Sequence, residues 1–454
     1  MVPKRILSAL LASVGAGVVP RTGAAYLAIG RQEEMRALVT DLSAVADGGA
    51  CMRLIVGKYG SGKSFLLQLL RGYALENGFL CADADLSPER RFCGSAGAGT
   101  ATYRELMKNL SSKTSAEGGA LPGILSKWLS TLQSEAAAAG DCPGTETFTA
   151  EVSRRIFEVL RDLEAQIGGF DLGTVLSAYY RADCTGDDAL RSAALRWLRG
   201  EFRTRTEARA ALGVNAVIDD ENWYDYLKLL AVFFRRIGYR GFVVLIDECV
   251  NLYKIPNRVS REKNYEKILS MFNDTLQGKA QGLYLLLGGT PQFLEDERRG
   301  LFSYEALKSR LCDSRFLTGH YKNLIGPVIR LCRLSDSEML ALVQRMARLH
   351  GEFYGWQVRL EDQDMEDFVR RCTARAGADS LITPREILRD FCAVLNILYQ
   401  NEDTNYAQIV DQTVTLQHEN SAAEEETASL SDGGSEAVHA AASATTLTLS
   451  DLDF

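Results

Sequence analysis

Gly57-Lys58-Tyr59-Gly60-Ser61-Gly62-Lys63-Ser64 fits G-x-x-x-x-G-K-[ST], and the residues on either side fit the setting such a loop needs. Ahead of it, Met52-Arg53-Leu54-Ile55-Val56 is an apolar run that reads as a buried strand. Behind it, Phe65-Leu66-Leu67-Gln68-Leu69-Leu70 reads as the first turns of a helix. Strand, glycine-rich loop and helix in that order make a phosphate cradle. The glycines let backbone N–H groups converge on the phosphates, and the helix N-terminus adds a favourable dipole. Gly57 to Phe65 therefore line a nucleotide site. Lys63 reaches the β- and γ-phosphates, and the Ser64 hydroxyl ligates Mg²⁺. The expectation is a protein that binds ATP or GTP.

A second element points to hydrolysis. Gly241-Phe242-Val243-Val244-Leu245-Ile246-Asp247-Glu248 is an apolar strand ending in two acids. Open α/β sheets bind ligands at the C-terminal ends of their strands. Asp247 is the expected metal-side residue and Glu248 the water-activating base.

The chain has 454 residues, enough for two or three domains, and 46% of them are hydrophobic. Ten cysteines are scattered without a C-x-x-C pair, and only four histidines are present, a pattern that suits a reducing cytoplasm and disfavours a zinc site. The first residues, Lys4-Arg5 followed by Ile6 to Gly17, imitate a signal peptide. With a phosphate loop and free thiols downstream, residues 1–21 are read instead as an amphipathic helix packing on the core, broken at Pro20. No stretch is long and apolar enough to span a membrane. The net charge of −8 is unevenly placed. From Asn401 onward there are 11 acids and no Lys or Arg, so the preceding 400 residues carry +3.

Further strands are expected at Phe79–Asp85, with Asp83 and Asp85 near its end, and at Leu283–Leu287, followed by Gly288-Gly289-Thr290-Pro291. Gly94-Ser95-Ala96-Gly97-Ala98-Gly99 reads as a flexible linker. Tyr103 to about Leu212 reads as helical throughout, with an Ala-rich break at Ala136–Gly140. Lys63 and Asp247 are 184 residues apart, whereas two adjacent βα units need only about 60–70, so a large helical insertion is expected. Arg191, Arg196, Arg199, Arg203, Arg205 and Arg209 crowd one stretch of it. They read either as a phosphate-tracking face or, preferably, as a solvated face paired to acids; Trp197 and Phe202 read as core. Ser335–Leu349, Glu361–Arg375 and Thr383–Tyr399 are amphipathic helices. The last opens on Thr383-Pro384-Arg385-Glu386, a capping box with Pro at the first helical position. The expected organisation is an N-terminal helix (1–21), an α/β core (22–330, with the insertion at about 100–235), a helical lid (331–400) and a disordered acidic tail (401–454).

With these residues in place, the chain resembles an AAA+ ATPase of the kind related to origin-recognition ATPases and their regulatory cousins. Ile29-Gly30-Arg31-Gln32-Glu33-Glu34 is similar to the family's segment before the phosphate loop, which implies that Arg31 lies by the adenine. Thr290 falls where the family places its first sensor, a polar residue near the γ-phosphate. Tyr304 to Arg315 resembles the segment carrying the arginine finger, with Arg310 first choice and Arg315 second. Arg385 sits where the lid arginine, the second sensor, is expected. Each also has a plainer reading: a strand-ending turn at Thr290, and surface salt bridges at the arginines.

A narrower set of blocks resembles the BrxD family, ATP-binding proteins of certain BREX phage-defence systems. It comprises Gly57–Arg91, Asp247-Glu248 with Asn251-Leu252-Tyr253, Asn273-Asp274 with Gln277-Gly278, and Gly289-Thr290-Pro291-Gln292-Phe293 with Arg299 to Tyr304. The resemblance covers roughly residues 18–400. It implies a cytoplasmic, oligomeric ATPase in bacterial antiviral defence, using ATP and Mg²⁺. Its implied partners are other BREX proteins including a helicase-type protein, and DNA directly or through a partner. Two other functions use the same motifs: a slow signalling switch with little steady-state turnover and, less well supported without a winged helix, a transcription regulator.

Overall fold

A computed structural model describes residues 2–94, 97–140, 142–161, 168–313, 323–375 and 383–409. Helix α1 (Lys4–Gly15) and helix α2 (Gln32–Ala46) precede strand β1 (Cys51–Gly57), which leads through the glycine loop into α3 (Lys63–Glu76) and β2 (Leu80–Asp85). Among the described residues seven helices follow before the next strand: α4 (Ala98–Lys108), α5 (Leu121–Ala138), α6 (Glu146–Arg161), α7 (Gly169–Thr185), α8 (Asp188–Leu198), α9 (Arg205–Leu212) and α10 (Trp223–Arg236). Then come β3 (Phe242–Asp247), α11 (Val250–Tyr253), α12 (Arg258–Leu276), β4 (Leu283–Gly289), α13 (Pro291–Glu295), α14 (Glu305–Leu311) and β5 (Val328–Leu331). The chain closes on α15 (Asp336–Tyr354), α16 (Asp362–Arg375) and α17 (Pro384–Gln400).

The five strands form one sheet in the order β2-β3-β4-β1-β5. β1 to β4 run parallel, with Val56 opposite Gly289 and Asp85 opposite Asp247. β3 and β4 are buried along their whole length. Near-continuous apolar runs are what a parallel strand covered on both faces requires. Within β1, the charged Arg53 pairs with Asp41 at 2.7 Å, and the Tyr284 hydroxyl donates to the same carboxylate at 2.7 Å. The strands lie where the apolar runs placed them. β5 was not anticipated, because four residues interrupted by Arg330 carry no periodicity.

The chain divides into two compact units. One holds the sheet and the helices from α4 to α14, and its core includes Trp197 and Phe202, as their sequence context suggested. Of the arginines crowding α8 and α9, Arg191 pairs with Asp183 at 3.1 Å and Arg196 with Glu207 at 3.0 Å. The glycine-rich linker is a correction. Ala98 and Gly99 form the first turn of α4 and are buried there. A Cβ on Gly99 would lie 2.7 Å from the Phe92 carbonyl, so close packing accounts for that glycine.

The other unit contains the residues up to Gln32, Lys58–Gly72 and those from Leu331 on. Leu7, Leu10, Leu11 and Val14 form one stripe of α1 and are buried in a core shared with Met339, Val343, Phe391 and Leu395 of α15 and α17. Reciprocal capping boxes start α15 and α17, Ser335 with Glu338 and Thr383 with Glu386. Tyr406 is buried against the same core, so described structure continues beyond residue 400; residues 410–454 lie outside it. Among the described residues no helix is long and apolar enough to cross a membrane.

Candidate functional site

β1 ends at Gly57, and the loop turns through Gly60 (φ 77°) and Gly62 (φ 87°) before α3 begins at Lys63. Positive φ at both positions demands glycine. The Lys63 ammonium rests on the Lys58 carbonyl at 3.1 Å, closing the loop on itself. Tyr59 is exposed, whereas the buried Ser61 hydroxyl has no hydrogen-bond partner. Ser64 sits in the first turn of α3, and Phe65 packs against the core of its unit. Three features fit an anion: a helix N-terminus, two left-handed glycines and a lysine at the turn.

Two sequence candidates gather around this loop. Arg31 is buried, and its Nη2 donates to the Ser61 carbonyl at 2.8 Å and to the Cys332 carbonyl at 2.7 Å. Its guanidinium thus holds the loop's backbone. Thr383, the N-cap of α17, covers the loop from its other side. A Cβ on Gly60 would fall 2.8 Å from the Thr383 methyl. Arg385 stands in the first turn of that helix, exposed, two residues beyond the contact.

The acids stand at the C-terminal edge of the sheet. Asp247 ends β3, and its Oδ1 accepts the Glu248 N–H at 2.8 Å. Glu248 is exposed, with φ 55°, the one non-glycine residue in the left-handed region among the described residues. Such conformations cost about 1–3 kcal/mol and persist where the surroundings over-determine them. Here Asn251 bridges the Glu248 carbonyl at 3.2 Å and the Leu86 carbonyl at 2.8 Å, and the Cys249 N–H donates to Gly288 in β4. The residue that sequence reading did not select is Asp85. Parallel register sets it opposite Asp247, and desolvation, then the charges of Asp247 and Glu248, raise its pKa. Register was the missing signal, because nothing in the 161 intervening residues announces that the two strands are neighbours.

Thr290 follows β4 and caps α13, its hydroxyl accepting from the Phe293 N–H at 3.3 Å. Because β4 lies between β1 and β3, Thr290 stands at the sheet edge between the strand that feeds the loop and the strand that ends in the acids. Arg310, exposed on α14, donates to the Asn273 side chain at 3.1 Å and to the Ala306 carbonyl. Arg315 lies outside the described residues. Among the described residues no three His, Cys, Asp or Glu side chains form a ready-made metal cage. A hard cation held by one or two protein oxygens together with substrate phosphates does not need one.

A family model described as BREX system ATP-binding protein BrxC/D matches residues 2–414. No curated protein matches the chain. With a glycine-rich loop leaving β1 of the sheet and a match over nearly its whole length, the chain belongs to the BrxC/D family of BREX system ATP-binding proteins.

Proposed function

We propose that this chain is an AAA+ ATPase of the BrxD kind. It hydrolyses ATP between subunits of an oligomer and drives a DNA-associated partner such as a helicase in phage defence. The carrying observation is the order of chemistry along the sheet edge. The loop leaves β1, Thr290 ends the adjacent β4, and Asp247 with Glu248 ends β3 beyond it. Binding alone does not call for two acids on the third strand; hydrolysis does. In this reading residues 22–330 form the ATPase core, about 100–235 its insertion and 331–400 its lid. Work in the cytoplasm follows from that role.

Gly57 to Ser64 hold the phosphates through backbone N–H groups, and Lys63 supplies the fixed positive charge. Ser64 and Asp247 are the residues that would hold Mg²⁺, which when bound neutralises phosphate charge. Burial and then the nearby charges of Asp247 and Glu248 raise the Asp85 pKa, and a cation there would answer that crowding. Glu248 accepts a proton from the attacking water, held forward by its left-handed backbone. Thr290 orients that water, Arg385 reads the γ-phosphate from the lid, and Arg310 or Arg315 acts on a neighbour's nucleotide.

The test is steady-state phosphate release by Glu248→Gln against the unaltered protein, alongside affinity for a fluorescent ATP analogue. The expected outcome is intact affinity with turnover reduced about a hundredfold or more. An unaltered protein that retains ADP and shows no turnover at any concentration would instead mark a slow switch.

A further inference from the structure

The helices that lie between β2 and β3 in sequence form a partly open cavity of about 540 Å³ that the ATPase reading leaves unused. One wall is a face of α4 carrying Arg104, Glu105 and Lys108. The other is the end of α8, where Arg199 caps the helix and Glu201 follows; Arg90, from the turn after β2, also lines it. The walls are fixed to each other. The buried Tyr103 hydroxyl donates to the Leu198 carbonyl at 2.8 Å, and Arg104 Nε donates to the Gly200 carbonyl at 2.6 Å. Gly200, at φ 70°, lies against the Tyr103 ring, where a Cβ would come within 3.0 Å.

The charges in this cavity do not balance. Four cations face two carboxylates, and both carboxylates are engaged. Glu105 is 3.6 Å from Arg90 and 3.7 Å from Lys108, and Glu201 is 4.0 Å from Arg196, which is not part of the lining. Neither Arg104 nor Arg199 pairs with a carboxylate among the described residues. Arg199 is half-buried and has no side-chain hydrogen bond there either. Cations at helix C-termini complement the dipole, which explains a charge at Lys108 and at Arg199. It does not explain why Arg104 and Arg90 converge on the same space. A partly desolvated guanidinium without an acceptor is unfavourable until an anion meets it. The planar fork matches phosphate oxygens.

We infer that this cavity binds a phosphate group, with Arg104 and Arg199 as its forks and Arg90 and Lys108 as supporting charge. The phosphate belongs to a nucleic-acid strand or to a free nucleotide; the chemistry of recognition is shared. Arg90 Nε also donates to the Asp85 carbonyl at 3.0 Å, so the occupant sits one side chain away from the acidic end of β2.

Binding is measured on the full chain with two probes: inorganic pyrophosphate by calorimetry, and a short fluorescein-labelled single-stranded oligodeoxynucleotide by anisotropy over a salt series. Arg199→Ala is the principal variant, because that side chain holds nothing else in place. Lys63→Ala reports on the phosphate loop, and Arg203→Ala, exposed on the same stretch, is the control. Arg199→Ala is expected to weaken at least one probe about tenfold or more, with ATP-analogue affinity unchanged and Arg203→Ala without effect. Loss of oligonucleotide binding with a shallower salt dependence assigns a strand. Loss of pyrophosphate binding assigns a free phosphate. If Arg199→Ala and Arg104→Ala bind both probes as the unaltered chain does, or if only Lys63→Ala loses them, the proposal is overturned.

Discussion

The guanidinium of Arg31 holds two carbonyls at once, Ser61 in the glycine-rich loop and Cys332 ahead of α15. Charge-assisted bonds of this kind contribute about 1.5–3 kcal/mol each, and here the one buried nitrogen Nη2 makes both. Arg31 therefore acts as a positioning residue for the loop backbone. Arg31→Ala removes both donors and leaves the two carbonyls without this partner, so ATP-analogue affinity should fall about tenfold. If Arg31→Ala binds as tightly as the unaltered chain, the loop does not depend on these two bonds. At the acidic edge, the raised Asp85 pKa fixes the sign of a pH effect. A carboxyl whose folded pKa lies above its unfolded value adds stability below the unfolded pKa and loses it as pH rises through the folded one. Without divalent cation, thermal stability conferred at Asp85 should thus fall as pH rises from about 4. Asp85→Asn should melt higher than the unaltered chain at neutral pH, and the gap should close on acidification. A constant gap across the range would remove the titration argument.

At the scale of elements, α4 is packed too closely for its first turn to be a linker. Gly99 lies where the Trp223 indole N–H donates to the Phe92 carbonyl at 2.9 Å, and an added methyl would meet both atoms. Gly99→Ala should destabilise the sheet-bearing unit by about 1–3 kcal/mol, read as a lowered melting temperature with a change in Trp fluorescence. An unchanged melt would mean that the packing yields. The same element shows what sequence can reveal. β1, β3 and β4 were legible because a strand buried on both faces must be an apolar run, and the α17 start because Thr383, Pro384 and Glu386 are adjacent in sequence. The loop was legible for the same local reason. Asp85 beside Asp247, Arg31 on Ser61, and Arg199 across a cavity from α4 are contacts between distant segments, with register and packing as their only cause. Gly94 to Gly99 misled because glycine serves flexibility and close approach alike.

At the scale of the whole molecule, the family match runs over residues 2–414, and a site shared between subunits would draw residues from two copies. Arg310 is the case in point. It is exposed yet tied within its own chain to Asn273 and Ala306. A finger and a structural tie make opposite predictions once two variants are mixed. If Arg310 acts on a neighbour, turnover per subunit should rise with protein concentration. Arg310→Ala should then lower turnover about a thousandfold with ATP affinity retained. Arg310→Ala still carries Glu248, and Glu248→Gln still carries Arg310. Where an intact Arg310 from one subunit faces an intact Glu248 in the next, an active interface forms from two inactive proteins. Mixing them should therefore restore a measurable fraction of phosphate release. A structural tie is repaired by no neighbour. If the mixture stays as inactive as its components while the unaltered protein gains activity on concentration, the finger lies elsewhere, and Arg315 is the next residue to change.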